Sequence, residues 1–196
     1  MSNRRLFPAP RVRICPGMRI HSLLPCHVLL ALLLAVPALA QPKPAPRADA
    51  APKEIGKFDD WRAATHVEAG QTVCYALTRA KSSAPALAGR GEVILTVTQR
   101  QAQRDAVAIS AGFGYAANAA VVVEAGPVSL DFYTAQRSAF ARNGAAAVAA
   151  FARGSQTVAR SPGPPGPKQA IPLVDTFSLK GFGAAYAAIN KACPPK

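Results

Sequence analysis

The sequence contains few residues suited to metal binding or nucleophilic catalysis. It has four cysteines and three histidines, and beyond residue 40 only His66, Cys74 and Cys193 remain. A structural zinc site needs several Cys, His or carboxylate ligands within tetrahedral reach. The sequence also lacks a Cys-x-x-Cys pair, a Gly-x-Ser-x-Gly elbow and a Ser-x-x-Lys pair. We therefore expect no metal site and no cofactor.

The apolar run near the start is too interrupted for a membrane-spanning helix, which needs roughly 18 apolar residues. Residues 1–40 carry five arginines, no acidic residue and the run "VLLALLLAVPALA", which contains a proline and ends in Ala-Leu-Ala. A basic segment, a short apolar segment and a small-x-small site are typical of a secretory signal peptide. We expect cleavage after Ala40, a periplasmic or secreted protein and no transmembrane segment in the mature chain. Met18 is an alternative start to Met1.

Two cysteines are expected in the mature chain. Cys15 and Cys26 fall in the leader, which leaves Cys74 and Cys193. An even pair in an exported chain is typical of one disulfide. Chain-entropy models set an upper bound on the order of 4–5 kcal/mol for the stabilisation by a closure of this length. The alternative is two buried free thiols.

The chain is basic, with a formal net charge of +13. Removing five leader arginines from 23 basic residues leaves 18 against 10 acidic residues, a net charge of +8. In an exported protein this charge favours an anionic partner, such as membrane head groups, lipopolysaccharide or an acidic polymer. Nucleic acid is disfavoured, because no Lys/Arg run alternates with aromatic residues. A well-spread positive charge can also serve solubility alone.

Composition divides the mature chain into a linker and one domain. Residues 41–54 are rich in proline and alanine and have no hydrophobic period, which predicts an extended linker. Residues 55–196 are enough for a single domain with a core of its own. A second Pro/Gly cluster at residues 161–172 predicts a surface excursion within that domain.

Alternation of apolar and polar residues dominates the domain. Such alternation predicts half-buried strands. It occurs in "QTVCYALTR", "EVILTVTQR", "DAVAISAGF", "NAAVVVEAG", "VSLDFYT" and "VDTFSLKG", and more weakly around Trp61 and in "SQTVARS". Short strands at this spacing favour a mainly β, single-domain antiparallel sandwich or barrel-like fold.

Two segments predict short helices. "GAAAVAAFARG" is rich in alanine, a strong helix former. Near the end of the chain Phe182, Tyr186, Ile189 and Cys193 recur at spacings that place them on one helical face. We expect this C-terminal helix to dock by that face and to be joined to the "TVCYALT" strand by the disulfide.

His66 is the one residue that suggests a hydrolase. It could act as a base with Asp59 or Asp60 as its orienting carboxylate and a serine as nucleophile. No motif identifies that serine, and His66 lies in the turn-like stretch "THVEAGQT". A surface histidine without a catalytic role is therefore the favoured interpretation.

A candidate binding surface lies in "FYTAQRSAFARNG". It combines Tyr133, Arg137 and Arg142 near the end of a predicted strand. Aromatic residues and arginine are enriched at the centres of protein interfaces. The alternative is an ordinary strand exit without a binding role.

The order of these segments resembles the invasion-associated locus B family of exported proteins. The resemblance comprises a leader, a linker, the opening "FDDWRAAT", the segment "TVCYALT", alternating strands and the closing "FSLKGFGAAYAAINKACP". Members of that family often carry a further cysteine shortly after the tryptophan, and residues 62–65 have none. The resemblance implies a periplasmic or envelope-associated β-rich protein, linked by name to host-cell invasion, with no catalytic residues to transfer.

These observations favour an exported, non-enzymatic interaction protein that binds an envelope component or a partner protein. The alternative from another class is a hydrolase that uses His66. A structural envelope protein is a third interpretation.

Overall fold

The computed structural model describes residues 51–166 and 171–195. The predicted leader and residues 41–50 of the predicted linker lie outside them. Over the described residues the chain forms strands and two helices, in the following order: β1 (Lys53–Phe58), β2 (Trp61–Glu68), β3 (Gln71–Arg79), β4 (Ser82–Ala84), β5 (Ile94–Gln99), β6 (Ala106–Ser110), β7 (Val121–Ala125), β8 (Val128–Ala135), β9 (Ser138–Ala141), α1 (Gly144–Phe151), β10 (Gln156–Pro162), β11 (Pro172–Ser178) and α2 (Phe182–Ala192).

The strands form one antiparallel sheet in the order β1-β2-β3-β5-β6-β9-β8-β7-β10-β11-β4. The short strand β4 follows β3 in sequence but pairs with β11 near the other end of this order. At the bend between β3 and β4, the Lys81 amide donates to the Thr176 carbonyl oxygen over 2.8 Å. The sheet therefore curls back on itself. This confirms the prediction of a mainly β, sandwich-like single domain with two short helices.

The inward face of each strand carries the residues that the alternating pattern predicts. On β5 and β6, Leu95, Val97, Val107 and Ile109 are all buried. Leu130 and Phe132 are buried in the same way on β8. These side chains share one core cluster with the two helices. Because side chains alternate between the faces of a strand, burial of one face fixes the register of the whole sheet.

Helix α1 forms where the alanine-rich segment predicts it. The Asn143 side chain caps the helix by accepting a hydrogen bond from the Ala146 amide over 3.0 Å. Ala147, Val148 and Phe151 turn inward and are buried. A short helix with little intrinsic stability thus depends on this packing.

Helix α2 docks by the face that its spacing predicts. Phe182 and Ile189 are buried, and the Phe182 ring lies 4.9 Å from the Trp61 ring, centroid to centroid. The helix begins after Gly181, which has a φ of 89°. A β-carbon at position 181 would overlap the carbonyl oxygen of Phe58. Glycine is therefore required at this close approach of two backbones.

Some strands differ from the sequence predictions. Strand β1 begins at Lys53, within the stretch predicted as linker. Strand β9 lies in the stretch predicted as a strand exit, where it forms a hairpin with β8, and the short strand β4 is not predicted. The Pro/Gly cluster contributes strand ends, since Pro162 of β10 faces Pro172 of β11, and residues 167–170 of the predicted surface excursion lie outside the described residues. Proline is tolerated at strand ends, where one amide fewer is needed for the ladder.

Candidate binding surface

The two cysteines of the domain are joined. Cys74 of β3 and Cys193, which follows α2, form a disulfide across a sequence separation of 119 residues, with Cα atoms 5.9 Å apart. That separation lies within the usual range for disulfides. Cys74 is fully buried and Cys193 is half-buried. The bond fastens the end of the C-terminal helix to the sheet, as the sequence predicts.

A polar network surrounds this end of α2. The Tyr186 hydroxyl donates to Asp105 Oδ1 over 2.7 Å, and Gln99 Nε2 donates to the same oxygen over 2.6 Å. Arg104 donates to the Cys193 carbonyl oxygen over 2.7 Å and to the side chain of Asn190. Burial, followed by the hydrogen bond to Asp105, raises the pKa of Tyr186 above its usual value. The loop between β5 and β6 thus holds the helix in place beside the disulfide.

Tyr133 and Arg142 come together on the outer face of the β8–β9 hairpin. Tyr133 is 45% exposed, and the Arg142 guanidinium carbon lies 5.7 Å from its ring centroid. The ring also stacks against Phe140 of β9, with the centroids 5.5 Å apart. This arrangement is typical of a cation–π contact at an exposed site. It presents an arginine to solvent in a restrained position.

An open cavity of about 400 Å³ lies beside this pair. Tyr133, Arg142, Asp131 and Asn118 all line it. Within the described part of the chain, no carboxylate forms a salt bridge with Arg142, although Asp131 is close enough along the hairpin to line the same cavity. The cavity therefore offers the cation of Arg142, the carboxylate of Asp131 and the aromatic ring of Tyr133. We call this cavity, with Tyr133 and Arg142, the hairpin surface.

Arg137 does not belong to the hairpin surface. It lies in the turn between β8 and β9, five residues from Arg142, or about 16 Å along an extended chain. Its Nη2 donates to the Gly112 carbonyl oxygen over 3.0 Å, and its own carbonyl oxygen accepts from the Ala111 amide. Arg137 thus ties the hairpin turn to the segment after β6. Of the three residues that the sequence predicts as a binding surface, Tyr133 and Arg142 therefore lie together and Arg137 lies apart from them.

The structure does not bring His66 together with Asp59 or Asp60. His66 lies on β2, edge-on to Tyr75 at 5.5 Å, and its Nε2 is 3.9 Å from Glu68. Asp59 and Asp60 precede the start of the same strand, about 20 Å away along an extended chain. There they pair with Lys180 and Lys81. Neither aspartate is therefore placed to orient the imidazole.

The described residues contain no group of three or more His, Cys, Asp or Glu side chains that could hold a metal ion. Over the same residues, neither helix has the length and apolar character needed to cross a bilayer.

A buried ion pair is the main feature that sequence reasoning missed. Arg90 donates to both carboxylate oxygens of Asp175, over 2.9 and 2.7 Å, and the two side chains are only 6% and 3% exposed. Arg90 Nε donates to the Ala111 carbonyl oxygen, and its guanidinium lies 5.2 Å from the Phe113 ring centroid. The one sequence signal was Asp175, a charged residue at an inward position of the strand "PLVDTFS".

Comparison with known proteins places this fold in a family. Residues 61–190 match the Invasion associated locus B (IalB) protein family. This match covers more than half of the chain, and the chain therefore belongs to that family, as the order of its motifs implies.

The structure is similar to the crystal structure of invasion associated protein B from Bartonella henselae. The TM-score is 0.52 at 15% sequence identity, and the alignment covers 70% of this chain and 95% of that chain. At this identity the similarity shows a common fold alone. No curated protein has a sequence that matches this chain.

Proposed function

We propose that this protein is exported to the cell envelope and acts by binding rather than by catalysis, with the hairpin surface as its contact with an anionic envelope component. The single observation that carries the proposal is the pairing of an exposed Tyr133 with Arg142 beside an open cavity. An aromatic ring held by neighbouring strands and an arginine that forms no salt bridge with any described residue are suited to recognition at low entropic cost.

The charge of the chain supports an anionic partner. The expected mature protein carries 18 basic and 10 acidic residues. Such an excess attracts anionic surfaces and raises the rate of encounter with them. The restrained guanidinium of Arg142 then supplies a local contact, because arginine binds carboxylate and phosphate groups through two parallel hydrogen bonds.

The experiment is retention on envelope fractions from cells that lack the protein. The purified domain is mixed with the fraction, sedimented and washed with buffers of rising salt concentration. We expect retention to fall in high salt, because the screening length shrinks from about 10 Å at 0.1 M to about 3 Å at 1 M.

A charge-reversal variant tests whether the contact with the envelope lies at the hairpin surface. Arg142→Glu should reduce retention several-fold at low salt. Arg153→Glu is the matched control, because Arg153 is also exposed and the change in net charge is the same. If both variants bind equally well, the hairpin surface is not the contact. If His66→Ala abolishes the function of the protein in cells while its retention on envelope fractions is unchanged, a hydrolase becomes the better explanation of its function.

A further inference from the structure

A second basic feature lies on a different part of the sheet, at the hairpin of β1 and β2. Lys57 of β1 faces Arg62 of β2 directly in the antiparallel register, and both residues are exposed. Side chains at directly opposed positions have Cβ atoms about 4.5–5.5 Å apart, and like charges placed there destabilise the pair. A repulsive pair without compensation is unusual in a sheet.

The neighbouring carboxylates do not compensate this pair. Asp59 lies 3.3 Å from Lys180 Nζ, and Asp60 pairs with Lys81. Among the described residues, neither Lys57 nor Arg62 forms a salt bridge. Over the part of the chain that the structure describes, the two opposed cations are therefore exposed and have no ion-pair partner.

The space beside them is concave. An open cavity of about 360 Å³ is lined by four cations, Lys57, Arg62, Arg79 and Lys81, and by the carboxylates Asp59 and Asp60. Arg79 is paired with Glu92, over 2.7 Å. The hydrogen bond from Lys81, the largest effect, lowers the pKa of Asp60, so this carboxylate stays charged and stays with its partner. The positive charge that remains for a ligand is that of Lys57 and Arg62.

We propose that this cavity is a binding site for a phosphate group, held by Lys57 and Arg62. The planar guanidinium of Arg62 can bind two phosphate oxygens at once, and the ammonium of Lys57 acts as a compact point charge on a third. Occupancy removes the repulsion between the two side chains. The same chemistry is presented by free phosphate and by the headgroup of an anionic phospholipid. This phosphate site shares no residue with the hairpin surface. Either site can therefore be disproved without affecting the other.

The test compares thermal unfolding of the purified mature protein with its disulfide intact, in sodium phosphate and in sodium chloride at equal ionic strength and pH. A ligand that binds only the folded state raises the unfolding midpoint. We expect 10 mM phosphate to raise the midpoint of the wild type by about 2 °C or more. The double variant Lys57→Gln/Arg62→Gln should not respond. In low-salt chloride it should be at least as stable as the wild type, because the repulsion is gone.

The matched control is Arg153→Gln/Lys191→Gln, which removes two exposed cations elsewhere and should respond to phosphate as the wild type does. A second arm measures co-flotation with vesicles of phosphatidylcholine alone or with 30% phosphatidylglycerol. Loss of flotation in the Lys57/Arg62 variant, without any response to free phosphate, identifies the lipid headgroup as the source. If the double variant and the control respond alike in both arms, or if the wild type responds in neither, the site does not exist.

Discussion

Two long-range links hold this domain together, and they differ in kind. The Cys74–Cys193 disulfide joins residues 119 apart, and the Arg90–Asp175 ion pair joins residues 85 apart. The disulfide is backed by a network of hydrogen bonds that also holds α2, including the bond from Tyr186 to Asp105. The ion pair is nearly free of solvent, and each partner depends on the other for its charge compensation. Loss of the covalent link leaves other contacts in place, whereas loss of one charge leaves its partner buried and unpaired.

The largest expected effect comes from breaking the ion pair on one side. Asp175→Ala should lower the free energy of unfolding by about 3–5 kcal/mol, because an uncompensated guanidinium would remain buried. Chemical denaturation followed by circular dichroism measures this change. The control is the double variant Arg90→Met/Asp175→Leu, which removes both charges and should recover most of the loss. A single variant as stable as the wild type would show that the pair is not buried in solution.

Removal of the disulfide should have the second-largest effect on the free energy of unfolding. Cys74→Ser/Cys193→Ser should lower the free energy of unfolding by about 2–4 kcal/mol, because the unfolded chain regains the freedom that the closed loop denies it. Addition of a reductant to the wild type should shift its denaturation midpoint in the same direction and leave that of the double variant unchanged. Reaction of the freshly purified native protein with a thiol reagent would contradict the link.

The hydrogen bond from Tyr186 should have a smaller effect. Tyr186→Phe should lower the free energy of unfolding by about 1–2 kcal/mol, since it removes one bond to a carboxylate and keeps the ring. The loss should be smaller than that from opening the disulfide, and the two sets of denaturation curves compare them directly. No change in the Phe variant would mean that α2 is held by its apolar face alone.

Tyr186 should also make the stability of the protein depend on pH in the alkaline range. Burial and the bond to Asp105 raise the pKa of Tyr186 in the folded state, so its contribution to stability is complete below the unfolded pKa of about 10 and is lost as the pH rises through the folded pKa. Burial raises the pKa of Tyr115 as well, and the wild type should therefore lose stability above about pH 10. Tyr186→Phe should lose less over that range. If the free energy of unfolding fell equally with pH in both proteins, the alkaline loss of stability could not be assigned to Tyr186.

The contrast between the two links also explains what the sequence could predict. The disulfide could be predicted by counting cysteines. Two remain once the leader is set aside, and one of them, Cys193, lies on the buried face of a predicted helix. The strands followed from alternation, and residues such as Leu95 and Val107 are buried where the pattern places them. Both inferences use local or countable features.

The ion pair could not be predicted in this way. Arg90 lies in an irregular segment, and its partner becomes its neighbour only after β11 has paired with β4 and the sheet has curled. The contact between Tyr133 and Arg142 could not be predicted from the sequence either. Tyr133 and Arg142 meet because β9 forms a hairpin with β8, and the sequence pattern predicts only a strand exit at β9. Arg137, close to them in sequence, is turned away to a carbonyl oxygen of another segment.

The links that hold the fold lie apart from the hairpin surface, so we expect binding at that surface to be lost without loss of stability. The most direct measurement is site-specific photo-cross-linking in intact cells, with p-benzoylphenylalanine in place of Tyr133 or, as a control, of the exposed Ala149 on α1. We expect a discrete cross-linked envelope product from position 133 that weakens in the Arg142→Glu background and is absent from position 149, while the unfolding midpoint stays within the range of ordinary surface substitutions. Identical products from both positions, or none from position 133, would contradict it.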